Sequence, residues 1–192
     1  MLGLGLGVST GGYIKSQPLP SKVLYERDGN FTFFDTFNFS VTGGNCSIAF
    51  VTTTFAGSSN FLKVTSTATG SDGIFHLDKG ALDGNLDDYY AVAAEGGTFQ
   101  LTLEYGFPSD NTDTGTVSRA RIWIGAQNRA TTGPAKNTIA TLVYDRILAT
   151  EASDPSGDDD YIKFEFEDPT ANEPVSGDVM YIKKIKFEYI AA

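Results

Sequence analysis

The sequence predicts an all-β protein, a jelly-roll or Greek-key β-sandwich of about eight or nine strands. Three observations support this fold class: two-residue alternation of apolar side chains, many short runs rich in Thr, Val, Ile and Phe, and no sustained helical periodicity. Side chains change face at every residue of a strand, so residues 98–107 form a central antiparallel strand with one core face and one solvent face. The apolar row of that strand is Phe99, Leu101, Leu103, Tyr105 and Phe107.

The other strands are predicted on both sides of this segment. The first predicted strand covers residues 31–41. Phenylalanines at its odd-numbered positions share one face, and Asp35 interrupts that row. Residues 127–137 are expected to be a loop, because they include Gly133-Pro134. The remaining strands are expected at 46–55, 61–65, 118–124, 139–147, 161–166 and 179–190, with short pieces at 73–77 and 89–93.

Residues 1–27 differ from the remainder, residues 28–192, which form the predicted sandwich domain. Leucine alternates with glycine at the start of the chain, and glycine weakens helix and strand alike. The leucines are too apolar for a solvated linker, so we expect an N-terminal arm that becomes ordered against another surface. A frayed terminus is the alternative. The residues assigned to partner binding in this arm are Leu2, Leu4, Leu6 and Tyr13.

Charge and composition narrow the classes of partner. The chain has 14 basic and 24 acidic residues, a formal net charge of −10. Such a surface is repelled by phosphate backbones and anionic lipids, so neither nucleic acid nor membrane is an expected partner. No apolar run approaches the length of a membrane span. The single cysteine, Cys46, excludes an internal disulfide framework.

The residue types that catalysis requires are sparse, and we predict that the protein is not an enzyme. His76 is the only histidine, and no nucleophile motif surrounds it. A glycoside hydrolase needs two carboxylates facing each other across a cleft. Glu104, Glu165 and Glu167 lie on predicted strands and are candidates for such a pair, but glutamates on the polar face of a sheet are usually only solvated.

Two acidic clusters offer oxygen ligands that Ca²⁺ accepts. Neither has the spacing of an EF-hand loop, and a solvated loop is the simpler interpretation of both. We therefore expect no cofactor, with a structural Ca²⁺ as the alternative. The first and denser cluster is Asp154, Asp158, Asp159 and Asp160, and the second is Asp83, Asp87 and Asp88.

The only tryptophan, Trp123, lies on a predicted strand where Ala120, Ile122 and Ile124 share one face. The other face then carries Arg119, Arg121 and Trp123. If the isoleucine face is core, an aromatic ring and two guanidinium groups point outward, where they suit a glycan or a protein partner. The alternative is that the tryptophan is core.

Three segments resemble the strands of galactose-binding-like carbohydrate-binding modules. They are Phe61 to Thr65, Glu95 to Leu103 and Gly177 to Ile185. The resemblance implies a jelly-roll domain that binds carbohydrate. In the closing strand, Lys183 and Lys184 replace the acidic pair often found in that family, which argues against a metal site of the family type.

A second resemblance lies in Leu4 to Gly12, which looks like the opening of small tailed-phage virion proteins. It implies a non-enzymatic virion protein that is assembled in the host cytoplasm and displayed on the virion surface. The expected role is capsid decoration (cement) or head fibre, with the arm anchoring a homo-oligomer to other capsid or tail proteins. The alternative is a carbohydrate-binding module of a tail fibre that recognises host surface glycans through Trp123 and the Tyr89-Tyr90 region.

Overall fold

The computed structural model describes residues 19–91, 96–112, 119–125, 127–130, 133–148, 162–167 and 174–192. Within these ranges the protein is almost entirely β-structure, with eleven strands in two antiparallel sheets. The helical elements are one α-helix, α1 (Leu86–Ala91), and two 3₁₀ turns (Phe33–Asn38 and Lys79–Ala81). None of the helices described here is long and apolar enough to cross a membrane.

The first sheet, sheet A, has six strands. They are β1 (Lys22–Asp28), β3 (Cys46–Val51), β4 (Phe61–Ser66), β6 (Thr98–Gly106), β9 (Ile139–Ile147) and β11 (Val179–Ile190). The strand order is β3-β4-β11-β6-β9, and β1 pairs with the C-terminal part of β11. The long strand β11 therefore carries β4 and β1 on one edge and β6 on the other.

The second sheet, sheet B, has five strands. They are β2 (Phe39–Thr42), β5 (Gly73–Leu77), β7 (Arg119–Ile124), β8 (Gln127–Ala130) and β10 (Ile162–Glu167). The strand order is β2-β5-β10-β7-β8. Apart from the consecutive pairs β3-β4 and β7-β8, neighbours in both sheets are distant in sequence, as the crossing connections of a jelly roll require. The predicted fold class is confirmed.

The core lies between the two sheets, and β6 is an interior strand of sheet A, as the alternation predicts, while β11 is the middle strand of that sheet. This strand pairs with β11 on one side and β9 on the other. Its four inward side chains, Phe99, Leu101, Leu103 and Tyr105, are fully buried. Phe107, which directly follows β6, stacks on Phe166 of β10 in the facing sheet, and the two ring centroids are 5.4 Å apart.

Several predicted boundaries differ from the observed ones. Residues 22–27, assigned to the arm, lie in β1, which pairs with the closing strand. Residues 127–130, predicted as loop, form β8. The short piece predicted from residue 89 begins inside α1 instead. Residues 1–18, which contain most of the predicted arm, lie outside the described ranges.

The predicted strand over residues 31–41 is wrong for its central part, which is the 3₁₀ turn Phe33–Asn38. The Asp35 carboxylate causes the turn: it accepts hydrogen bonds from the backbone N–H (2.7 Å) and hydroxyl (2.8 Å) of Thr32. It also accepts a hydrogen bond from Nε of Arg27. Asp35, which the sequence pattern suggested was an interruption of the strand, is therefore buried. The neighbouring Phe33, Phe34 and Phe37 point to solvent.

Candidate functional site

The outer face of sheet B contains the candidate site. On β7, Ala120, Ile122 and Ile124 are buried in the core, so alternation places Arg121 and Trp123 on the opposite face. This is the outward arrangement that the sequence left open. We call the outward side chains of Asp72, His76, Arg121, Trp123, Asn128, Lys163, Glu165 and Glu167 the tryptophan face.

Strand register lines these side chains up in rows across the sheet. His76 of β5 is opposite Lys163 of β10, which is opposite Trp123, which is opposite Asn128 of β8. Directly opposed residues of an antiparallel pair lie on the same face, about 5 Å apart. The row therefore spans about 14 Å across four strands. A row of this length suits an extended ligand better than a small ion.

In the next row of the same face, Glu165 of β10 is opposite Arg121 of β7, and ion pairs connect this row to the first. Arg121 lies between two glutamates of β10: its Nη1 is 3.4 Å from Oε2 of Glu165, and its Nη2 is 3.2 Å from Oε2 of Glu167. Nζ of Lys163 is 2.8 Å from the other oxygen of Glu165. Both glutamates are only 5% exposed. Because both cations are held by buried carboxylates, their positions beside the tryptophan are fixed.

The indole ring of Trp123 lies among these cations. Nζ of Lys163 is 3.8 Å from the ring centroid, and Cζ of Arg121 is 5.9 Å from it. Both distances are in the range of cation–π attraction. The indole N–H is buried and has no hydrogen-bond partner among the described residues. One ring face is thus already in contact with an ammonium group.

The candidate catalytic carboxylates do not form a pair across a cleft. Glu165 and Glu167 are two residues apart on one strand and are held by the same arginine. Glu104 lies on sheet A, on its solvent face, where it accepts a 2.7 Å hydrogen bond from Lys183. The structure therefore brings together two of the three glutamates, and in an arrangement unlike that of a glycosidase.

Three carboxylates of the tryptophan face converge. Oxygen atoms of Asp72, Glu165 and Glu167 all lie within 4.8 Å of one another. Arg121 neutralises part of this charge. Within the described ranges, the predicted cluster of Asp83, Asp87 and Asp88 does not converge in this way.

The two other groups considered for nucleophilic chemistry are poorly suited to it. Burial and, to a lesser extent, the charge of Lys163 lower the pKa of His76, whose Nδ1 is 3.0 Å from Oγ1 of Thr42. Burial raises the pKa of the Cys46 thiol from 9.0 to about 11, which keeps it protonated at neutral pH. Only the thiolate is strongly nucleophilic, so this cysteine is chemically quiet.

The other predicted site residues are placed as follows. Tyr89 is buried against Phe99 and Tyr189, whereas Tyr90 is only partly buried and contacts the buried Arg146. Arg119 lies in β7, but its side chain is not described. The arm residues Leu2, Leu4, Leu6 and Tyr13 and the acidic loop residues Asp154, Asp158, Asp159 and Asp160 lie outside the described ranges.

Sequence reasoning missed Lys163, Asp72 and Asn128 as parts of the site. Lys163 and Asp72 are brought to Trp123 or its neighbours by pairing between strands that are far apart in sequence, and Asn128 lies on β8, which was predicted as a loop. The parity of β10 did carry a signal: Lys163, Glu165 and Glu167 alternate with Phe164 and Phe166. That pattern identifies the outer face of β10, but not its partner strand.

No family model matches the sequence, and a search of curated proteins finds no match. Solved structures do match. One is the MgGH51 α-L-arabinofuranosidase in its arabinose-bound form, with TM-score 0.54 and 11% identity, covering 88% of this chain and 27% of that chain. Another is the N-terminal CBM22-1–CBM22-2 tandem domain of Paenibacillus barcinonensis Xyn10C, with TM-score 0.52 and 14% identity, covering 88% of this chain and 50% of that chain.

These matches show the fold alone, since their sequence identities are low. The chain spans about a quarter of the arabinofuranosidase and half of the tandem domain. Nothing in the comparisons supports a capsid decoration role or a virion origin. The architecture of this protein is that of the jelly-roll domains found among carbohydrate-binding modules.

Proposed function

We propose that this protein is a non-catalytic carbohydrate-binding domain that binds a polysaccharide on the tryptophan face. The single observation that carries the proposal is the outward position of Trp123 in a row of polar side chains across sheet B. Aromatic rings bind the apolar faces of sugars, while flanking charged groups hydrogen-bond to hydroxyls. The resemblance to carbohydrate-binding modules supports the same function.

Preorganisation is the physical basis of the proposed affinity. Ordering a long, flexible side chain on binding costs about 0.5–1.5 kcal/mol. Here Arg121 and Lys163 are already held by Glu165 and Glu167, so most of that cost is absent. A sugar that stacks on Trp123 has to share the ring with the Lys163 ammonium, which then donates a hydrogen bond at the rim of the sugar.

The glutamates take no catalytic role in this proposal. Their contacts with Arg121 hold them side by side on one strand, not on two sides of a scissile bond. The second resemblance, to tailed-phage virion proteins, makes bacterial surface polysaccharides the first ligands to test. A tail-fibre location with host glycans as partners is part of the proposal.

Affinity electrophoresis through gels containing bacterial surface polysaccharides, arabinans or xylans tests the function, followed by calorimetry on any ligand that retards the protein. Trp123→Ala is expected to weaken binding by at least about 30-fold, as removal of a central aromatic anchor does. Phe34→Ala is the matched control, because it removes an exposed aromatic ring from a different surface. It is expected to leave the affinity unchanged.

Two results contradict the proposal. One is a wild-type protein that none of the polysaccharides retards. The other is equal loss of affinity in the Trp123 and Phe34 variants, which indicates binding elsewhere or a general loss of structure. Circular dichroism of each variant separates these two causes.

A further inference from the structure

The 3₁₀ turn that precedes β2 exposes three aromatic rings. Phe33, Phe34 and Phe37 are 61%, 76% and 67% exposed. The ring centroid of Phe33 is 6.1 Å from that of Phe34 and 5.3 Å from that of Phe37. With about 200 Å² for each phenylalanine, the cluster exposes about 400 Å² of apolar surface. A contiguous exposed patch of that size is often functional. We call these three residues the aromatic turn.

The backbone under the aromatic turn is held firmly. The buried Asp35 carboxylate binds Thr32 at two atoms and Arg27 at a third. The hydroxyl of Thr36 donates a 2.7 Å hydrogen bond to the carbonyl of Phe33. The exposed rings are therefore displayed by a fixed turn, which is the property of a preformed docking surface.

We propose that Leu2, Leu4 and Leu6 of the same chain pack on the aromatic turn. Alternate residues of an extended segment lie on one side, about 7 Å apart. That spacing is close to the distances of 5.3 and 6.1 Å between the ring centroids of the turn. The intervening glycines have no side chains, so the segment approaches the rings closely.

The length of the chain allows this contact within one molecule. Thirteen residue steps separate Leu6 from Leu19, the first described residue, and they reach about 43 Å when extended. The eight steps from Leu19 to Arg27 span at most about 27 Å. Arg27 contacts Asp35 in the turn itself, so its side chain bridges the remaining gap. A tether of this length gives a local concentration in the millimolar range, which favours the contact within a chain over contact between chains.

Photo-cross-linking of the full chain tests the proposal. Phe34 is replaced by p-benzoylphenylalanine, and cross-linked peptides are identified by mass spectrometry after irradiation of a dilute sample. The expected product is a monomer cross-linked to residues 1–8. Val143, an exposed apolar residue on the outer face of sheet A, receives the same replacement as a control and is expected to give no such product. Cross-links to another protein molecule only, or equal yields at both positions, overturn the proposal.

Amide hydrogen exchange gives an independent readout that needs no probe at the turn. The triple change Leu2→Ser, Leu4→Ser and Leu6→Ser is expected to make the amides of residues 34–38 exchange about tenfold faster. Val8→Ser removes an apolar residue of the same segment outside the leucine run and is expected to have no effect. Unchanged exchange in the triple variant overturns the proposal. Neither experiment involves carbohydrate, so this inference stands or fails separately from the proposed function.

Discussion

Gly97, immediately before the central strand, carries a positive φ of +101° and lies against a packed ring. A Cβ at this position would lie 2.6 and 2.7 Å from Cε2 and Cζ of Tyr189. Tyr189 is itself buried against Tyr89, with ring centroids 4.7 Å apart, so the ring has little room to move. Gly97→Ala therefore combines backbone strain of about 1–3 kcal/mol with overpacking of about 1–3 kcal/mol.

Gly177 separates these two effects. Its φ is +102°, but no atom lies within 4 Å of the position a Cβ would take. Gly177→Ala is thus expected to cost the strain alone. Urea unfolding of both variants should show Gly97→Ala to be less stable than Gly177→Ala by about 1–3 kcal/mol. The same difference appears in thermal unfolding as about 2–12 °C. Equal losses of stability would refute the argument that the Tyr189 ring is rigidly held.

Three further changes have defined outcomes. Because burial raises the pKa of Cys46 to about 11, the stabilising contribution of the protonated thiol is complete below pH 9 and is lost as the pH rises to 11. Between these pH values the free energy of unfolding, measured in urea, should fall with pH, and Cys46→Ala should make that fall less steep by up to about 1.4 kcal/mol per pH unit. Asp35→Ala leaves the Arg27 guanidinium without its carboxylate partner and should destabilise the protein by about 1–3 kcal/mol in the same assay. An unchanged stability would show that the turn does not depend on this contact. Lys163→Ala uncovers one face of Trp123 to water, so the emission of this single tryptophan should shift to the red, whereas an unchanged spectrum would contradict the 3.8 Å contact.

The strands that alternation predicts well are those with one buried and one solvated face. The predicted ranges 139–147 and 179–190 agree with β9 and β11, because period-two patterning is a direct consequence of strand geometry. The turn Phe33–Asn38 was missed for the opposite reason. Phe33 and Phe37 keep the parity of a strand, and only the hydrogen bonds of a buried Asp35 show that the chain turns there.

The candidate site was predicted only in part, because a site on a sheet depends on strand order. Local alternation on β7 places Trp123 on the face opposite Ile122 and Ile124, but it leaves open which of the two faces is the core. Its contact with Lys163 requires β10 to be the neighbour of β7, which is a pairing between segments about 40 residues apart. Side-chain register across such a pair is set by the whole sandwich, and nothing local to either segment specifies it.

The two solvent faces of the sandwich use charge differently, and the difference favours the tryptophan face as the binding surface. On sheet A, the carboxylates paired with lysines keep more exposure, 45% for Asp28, 20% for Glu104 and 17% for Glu188, and exposed pairs are worth little. On sheet B, Glu165 and Glu167 are almost completely buried beneath Arg121. Burying ion pairs usually gives no more stability than apolar residues of similar size. Stability alone therefore gives no reason for this arrangement. Ligand binding gives one, because the buried carboxylates hold two cations in place beside the only tryptophan.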